Sequence, residues 1–274
     1  MVTTAAGTTR RPRADVIAPD RIAAVIQRNI GALRNGPSYW LVLVSGFFEP
    51  LFYLLSIGIG VGALVGDIQL IDGSVLPYAT FVAPAMLATS AMNGAMAETT
   101  FNFFFKFKYM KTYDAVLATP VRPFEIAIGE LVWAMIRGSV YTGVFLGVMV
   151  AMKLTTIGGA LAAFPATMLV GFAFGGIGMA VSTLMRGWQD FDVLNTAQFA
   201  LFLFSATFAP ITNYPQAVQW IIVLTPLYHA VELVRDLTTG TVTLGTAGHA
   251  LYMIVMMVVG LVFTGRRLER MLLK

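Results

Sequence analysis

Residues 157–185 read IGGALAAFPATMLVGFAFGGIGMAVSTLM, without a single Asp, Glu, Lys or Arg. A continuous apolar run of about 18 residues or more is typical of a helix that crosses a lipid bilayer. A strand of a membrane barrel would instead alternate apolar and polar side chains over about 10 residues. This stretch therefore predicts a transmembrane helix, in which every backbone hydrogen bond is satisfied within the segment.

The rest of the chain has the same apolar character. Of its 274 residues, 57% are hydrophobic and only 12% are charged, and the mean hydropathy is +0.76. Such a composition is too apolar for a soluble domain. Six spans are predicted, at residues 39–65, 78–105, 124–152, 157–185, 193–211 and 247–264. The predicted fold class is an all-α membrane protein with six transmembrane helices.

Two segments before the first span differ from it. Residues 1–19 are rich in Thr, Ala and Arg and could not form a core, so we expect a disordered cytoplasmic tail. In residues 20–36, Ile22 and Val25 share one helical face and Arg28 lies on the other. This pattern predicts an amphipathic helix at the membrane interface, and an amphipathic helix packed on protein is the alternative.

Residues 213–239 form the third segment outside the spans. Its apolar part is too short to cross a bilayer and is interrupted by Pro215 and Pro226. We expect a re-entrant segment on the extracytoplasmic side.

The basic residues predict the orientation. The net charge is +4, and 15 of the 18 Lys and Arg residues fall in the amino-terminal region, in the second-to-third and fourth-to-fifth loops, and at the carboxyl end. By the positive-inside rule both termini are cytoplasmic, and residues 265–274 form a basic cytoplasmic tail. The expected location is the cell membrane. Nucleic-acid binding is not expected, because the basic residues cluster at span ends without stacking aromatics outside the apolar runs.

Motifs for catalysis are missing from the sequence. There is no GxxxxGK[ST] loop, so any ATP must be bound by another chain. There is no HExxH, the two histidines His229 and His249 are far apart in sequence, and Cys is absent. We therefore expect no catalytic residue, no metal site and no cofactor in this chain, and no enzyme activity of its own.

Four charged residues lie within predicted spans: Glu49, Glu98, Glu130 and Arg137. Charges in lipid are costly and need a reason. Glu130 and Arg137 are seven residues apart and share roughly one helical face. These residues could line a polar path or a subunit contact, or they could form a structural ion pair or snorkel to an interface. An ion-coupled secondary transporter would use such carboxylates.

The loop between the second and third spans contains a predicted short helix at residues 107–120. Its apolar stripe consists of Tyr109, Met110, Tyr113, Val116 and Leu117, and Thr119-Pro120 ends it. Lys108, Lys111 and Asp114 lie opposite. Such a helix could lie on lipid or dock in a groove of a cytoplasmic partner.

Four motifs in order carry a family resemblance. They are LATPVRPFEI at 117–126 with Gly129-Glu130, FEPLFYL at 48–54, FVAP at 81–84 and PLYHAVELVR at 226–235. The chain resembles the ABC type-2 export permeases, in particular the nodulation-factor and daunorubicin exporter branch. The likeness covers most of the chain, with residues 37–264 as the six-span permease domain.

The resemblance implies partners and site residues. A permease of this family dimerises and binds two copies of a separate ATP-binding subunit, which holds the ATP and Mg. It implies that residues 20–36 are the connecting helix and that residues 107–120 are the coupling helix. The residues expected to couple to the ATPase are Tyr109, Met110, Tyr113, Val116, Leu117, Thr119 and Pro120. The expected outer gate residues are Pro226, His229, Glu232 and Arg235, although an ordinary turn histidine is the favoured interpretation of His229.

The implied function is ATP-driven export of an amphipathic substrate, such as a lipid, a glycolipid or oligosaccharide, or a drug. The alternatives are an ion-coupled secondary transporter and a membrane-embedded enzyme or scaffold. The sequence leaves the substrate open.

Overall fold

A computed structural model describes residues 18–34, 48, 51–52, 54–69, 73 and 75–272 of the chain. Nearly all of the described residues are helical, in agreement with an all-α membrane protein. A small antiparallel hairpin, β1 (Asp67–Gln69) paired with β2 (Val75–Pro77), was not predicted. Glu49 and the predicted tail up to residue 17 lie outside the described residues.

The helices follow one another in a simple order. They are α1 (Pro19–Arg34), α2 (Gly62–Val65), α3 (Tyr78–Ala97), α4 (Thr112–Leu117), α5 (Pro123–Ala151), α6 (Ile157–Ser182), α7 (Gln189–Leu203), α8 (Gln216–Leu224), α9 (Pro226–Thr239) and α10 (Leu244–Leu272). A π-helix, Leu54–Val61, precedes α2, and two more, Glu98–Asn102 and Phe105–Tyr109, follow α3.

Local sequence explains where the long helices begin. The Thr156 side chain accepts a hydrogen bond from the Gly159 amide at 3.0 Å and so caps α6. Pro123 occupies the first turn of α5, where its missing N–H costs nothing. The helix α10 continues to Leu272, so the predicted basic tail from residue 265 is helical over its described part.

Three helices, α5, α6 and α10, are long and apolar enough to cross a membrane, or four if α8 and α9 count as one span bent by 85°. This number refers to the described residues and to length and composition alone. The predicted six spans are therefore not confirmed. The predicted span 193–211 lies in α7 only as far as Leu203, where that helix ends, and part of the predicted first span, including residues 39–47, lies outside the described ranges.

The helix α6 is central, because α3, α5, α9 and α10 all pack against it. Its closest neighbour is α10, where Gly260 faces the backbone of Gly176. A Cβ atom at Gly260 would lie 2.7 Å from the Gly176 carbonyl oxygen. Small residues of this kind let helix backbones touch in membranes.

The bundle has two ends, which we name by what lies there. At the α1 end, the Arg267 Nε of α10 donates to the Thr183 carbonyl after α6 at 3.2 Å. At the hairpin end, the Thr155 hydroxyl before α6 donates to the Thr238 carbonyl of α9 at 2.7 Å.

Replacing Gly260 with Ala should destabilise the protein by about 1–3 kcal/mol, because the new methyl group meets backbone that cannot rotate away. The measurement is the thermal unfolding midpoint of purified protein in detergent. The matched control is Gly248→Ala on the same helix, where an added Cβ meets no described atom within 4 Å. Equal midpoints for the two variants would contradict the tight α6–α10 contact.

Candidate functional site

The carboxylate of Glu130 is the centre of the polar contacts at the α1 end. It lies on α5 and is only 4% exposed. It accepts hydrogen bonds from the Lys106 Nζ at 2.6 Å, the Asn29 Nδ2 at 3.0 Å and the Arg28 Nη2 at 3.2 Å. A buried carboxylate is tolerated when cations and donors surround it in this way. We call Glu130, Arg28, Asn29 and Lys106 the Glu130 node.

The node joins three parts of the chain. Arg28 and Asn29 belong to α1, Lys106 belongs to the π-helix before α4, and Glu130 belongs to α5. The amide oxygen of Asn29 also accepts from the Lys106 Nζ at 3.1 Å. A shift of any one of these parts relative to the others would break charged hydrogen bonds.

A second set of contacts fixes α1 along α5. Glu125 accepts from the Ala18 amide at 3.0 Å and from the Arg21 Nη1 at 3.4 Å. Val25 packs against Gly129, where a Cβ atom would lie 2.8 Å from the Val25 Cβ. One face of α1 thus packs on protein, which is the alternative that the sequence left open.

The coupling helix predicted at residues 107–120 is observed only as α4 (Thr112–Leu117), which follows the π-helix Phe105–Tyr109 and a turn at Lys111, whose φ is 48°. Tyr113 of α4 is 1% exposed, and its ring lies 5.2 Å from that of Phe103. Burial, with the negative charge of Glu130 nearby, raises the pKa of Tyr113 well above its ordinary value. The side chain is therefore neutral at any physiological pH.

The structure divides the residues expected to couple to the ATPase into two groups. Tyr113 is buried in a cluster with Ile126 and Leu131 of α5, and the half-buried Val116 and Leu117 pack against that cluster. The role of these residues in coupling to the ATPase stays a prediction. The exposed positions are Tyr109, Met110, Lys111, Asp114, Ala115, Ala118, Thr119 and Pro120. We call these exposed residues the coupling surface.

Arg137 does not join Glu130, although the two share a helix. The Arg137 Nη1 donates to the Glu98 Oε2 at 2.7 Å, and the Asn102 Nδ2 donates to the same oxygen at 2.7 Å. The sequence placed Glu98, Glu130 and Arg137 in one candidate set, and the structure separates them into two ion-paired clusters.

The Glu98–Arg137 pair lines a cavity of about 990 Å³ between α3, α5, α6 and α7. Two of the lining groups are buried donors without a hydrogen-bond partner among the described residues, the Thr89 hydroxyl and the Arg137 Nε. Apolar side chains, among them Met86 and Phe199, form other parts of the wall. The cavity therefore presents both polar and apolar groups to an occupant.

The expected outer gate residues meet at the hairpin end. Pro226 begins α9, and the Nδ1 atoms of His229 and His249 lie 2.8 Å apart. The Tyr252 ring stacks on His229 at 4.1 Å between centroids. Sequence separation gave no hint that the two histidines meet.

Arg235 is held firmly at the same end. Its guanidinium pairs with Glu232, donates to the Ala206 carbonyl at 3.0 Å and lies 4.0 Å from the Phe81 ring centroid. The role of these residues as a gate stays a prediction.

Three residues of the node were missed from the sequence: Arg28, Asn29 and Lys106. One signal was present, because Asn29 interrupts the apolar arc of α1. A polar residue in that position needs a buried partner.

Comparison with known proteins gives a consistent result. The family described as ABC-2 type transporter matches residues 21–239. Nodulation protein J of Rhizobium leguminosarum bv. viciae is 32% identical over 235 residues, which are 83% of this chain and 88% of that protein. Nodulation protein J of Rhizobium meliloti (strain 1021) is 32% identical over 202 residues, 73% of this chain and 74% of that protein.

A more distant relative is the probable multidrug ABC transporter permease YbhR of Escherichia coli (strain K12). It is 25% identical over 164 residues, which are 59% of this chain and 44% of that protein.

Replacing Glu130 with Ala should release α1, because Arg28 and Lys106 lose their shared carboxylate. We expect trypsin to cleave at Arg28 faster in this variant, by about tenfold for each 1.4 kcal/mol of lost local stability. The measurement is limited proteolysis followed by mass spectrometry. The control is Glu269→Ala, which removes an exposed carboxylate from α10. Cleavage at an unchanged rate would show that the node does not hold α1.

Proposed function

The chain belongs to the ABC-2 type transporter family, and from this membership we propose that it is the transmembrane permease subunit of an ATP-driven exporter. It would move an amphipathic substrate out of the cytoplasm or the inner leaflet. Two copies of the chain would assemble with two copies of a separate ATP-binding subunit. The observation that carries the proposal is the family match over residues 21–239, and the Glu130 node supports it by joining α1, the segment before α4 and the long helix α5.

The α1 end would face the cytoplasm. Most of the described basic residues lie there, including Lys106, Arg122 and Arg267, while few lie at the hairpin end. This distribution fits the positive-inside rule. The coupling surface then lies on the side where ATP is available.

The coupling surface would be the contact for the ATP-binding subunit. It contains one acidic and one basic residue, Asp114 and Lys111, beside the exposed side chain of Met110. Mixed polar and apolar groups of this kind are ordinary at interfaces between subunits. ATP and Mg would be bound by the partner, since this chain has no phosphate-binding loop.

Movement would pass from the partner through the buried side of the same segment. Tyr113, Val116 and Leu117 fix α4 to the amino-terminal part of α5 by packing, and the Glu130 node fixes α1 to both by charge. A displacement of the coupling surface would therefore carry α1, α4 and the start of α5 together. Such a rigid-body shift is an ordinary form of two-state transition.

The cavity beside α7 would hold the substrate. The Glu98–Arg137 pair and Asn195 offer polar groups to an occupant, and Met86 and Phe199 offer apolar surface. This arrangement supports an amphipathic substrate without identifying it.

The ion-coupled alternative would use Glu49, Glu98 and Glu130. Glu98 and Glu130 each form ion pairs with other segments, Glu98 with Arg137 and Glu130 with Arg28 and Lys106. We assign these two carboxylates to holding segments together.

The proposal is tested by purifying the chain in mild detergent from its native membrane. We expect a P-loop ATP-binding protein at near-stoichiometric amount, with ATP hydrolysis by the complex. Replacing the exposed Ala118 with Arg should weaken binding of that subunit by about tenfold or more, or about 1.4 kcal/mol.

The control for this substitution is Val242→Arg, at an exposed position of the hairpin end. It should leave subunit binding unchanged. The reproducible absence of an ATP-binding subunit, with the permease intact, would overturn the proposed function. Equal effects of the two substitutions would overturn the placement of the coupling surface.

A further inference from the structure

A cluster of aromatic rings lies at the α1 end, beside the coupling surface. Phe101, Phe105 and Tyr109 come from the π-helical segments after α3, and Trp188 and Phe191 come from the start of α7. The Tyr109 and Trp188 rings stack at 5.6 Å with an angle of 29° between them. Phe101 lies 5.7 Å from Trp188 and 5.6 Å from Phe191. We call these five rings the aromatic joint.

The start of α7 depends on this cluster for its position. Within the described part of the chain, no residue of α7 is buried, in contrast to α3, α5 and α6. Lys108 donates to the Arg186 carbonyl just before α7, and Asp190 accepts from the Arg186 amide at 2.5 Å. Aromatic ring contacts also join this turn to the segment before α4.

The same rings border the cavity. Phe101, Trp188 and Phe191 belong to its lining, and α7 adds Asn195 and Phe199 further along. The residue that touches Trp188 from the other side, Tyr109, belongs to the coupling surface. One ring contact thus connects the surface proposed for the ATP-binding subunit with a wall of the cavity.

The Tyr109–Trp188 ring contact is weak enough to break and re-form when the two segments move. An aromatic pair contributes about 0.5–1.5 kcal/mol beyond its buried area, much less than the charged contacts of a buried node. Tyr109 and Trp188 are each 49% exposed, so their separation uncovers little further surface. The Glu130 node would hold its segments together while the aromatic joint opens.

We propose that the Tyr109–Trp188 contact is the positioning element through which residues 105–120, which we call the coupling segment, move the start of α7 and open the mouth of the cavity. The proposal rests on the proposed function, because it takes the coupling surface as the place where ATP binding acts. Tyr109 and Trp188 are positioning residues here, and they need not touch the substrate in order to act.

The first experiment measures access to the cavity. The chain has no cysteine, so Ser90→Cys places one thiol in the cavity lining. The labelling rate with a fluorescent maleimide is compared in the complex with its ATP-binding subunit, without nucleotide and after trapping with ATP and vanadate. We expect the two rates to differ by about fivefold or more, the factor that corresponds to one aromatic contact of about 1 kcal/mol.

Variants of Tyr109 in the Ser90→Cys background test whether the nucleotide-dependent difference in labelling rate depends on the Tyr109 ring. Tyr109→Phe keeps the ring and should keep the nucleotide-dependent difference in labelling. Tyr109→Ala removes the ring and should abolish the difference, and Trp188→Ala, at a position outside the coupling surface, should abolish it in the same way. A difference that persists unchanged in Tyr109→Ala would overturn the proposal.

A second measurement follows the joint directly. In the Met110→Cys/Gln189→Cys variant, which keeps both rings and places a thiol beside each of them, cross-linking by a short bifunctional thiol reagent should be faster without nucleotide than in the trapped state. The control pair is Arg266→Cys/Arg270→Cys, two exposed positions about one turn apart on α10, whose cross-linking should not change. Equal behaviour of the two pairs would overturn the proposal.

A failure of the proposed function would give different results from a failure of the aromatic joint alone. In that case no ATP-binding subunit assembles with the unmodified chain, or the assembled complex does not hydrolyse ATP, and both proposals fall. Normal hydrolysis with nucleotide-independent labelling of Ser90→Cys overturns the aromatic joint alone.

Discussion

The buried carboxylate of Glu130 is the constraint on which the α1 end of the protein depends. A negative charge that is only 4% exposed must be matched by cations and donors, and α5 supplies none of those that surround it. They come from α1 and from the segment before α4, which are distant in sequence. Matching one charge therefore fixes three segments in a single arrangement. The apolar packing of Tyr113 and Leu117 beside it completes that arrangement.

The charged residues of α5 have different partners along the length of the helix. Near its start, Glu125 and Glu130 bind the connecting parts of the chain, whereas further along Arg137 turns toward Glu98 and the cavity. On the far side of the cavity stands α7, which has no buried residue of its own. The tight α6–α10 contact at Gly176 and Gly260 gives the bundle a fixed centre. The α6–α10 contact and the Glu130 node would hold their helices in place while α7 moves.

Hydropathy predicted α5, α6 and the start of α10 within a few residues, because a long apolar run is a local property of the sequence, but it ended the last span well before Leu272. It did not predict that α7 would end at Leu203, since the mostly apolar residues that follow contain no charged side chain before Pro210. Helical spacing in the loop correctly placed Tyr113 and Leu117 on one face. Whether that face meets a partner or its own chain is decided by tertiary packing, which spacing cannot reveal. The contacts of His229 with His249 and of Asn29 with Glu130 join residues that are apart in sequence, so helical spacing cannot reveal them either.

The central claim is that α1 and the coupling segment move as one body. Spin labels at Gln27→Cys on α1 and Lys108→Cys in the coupling segment, both exposed positions outside the coupling surface in a chain without native cysteine, allow their separation to be measured by pulsed electron paramagnetic resonance. In the complex with the ATP-binding subunit, the account predicts one narrow distance distribution that is the same without nucleotide and after trapping with ATP and vanadate. A distribution that shifts between these two states would contradict it, because the Glu130 node could not then hold the two segments together.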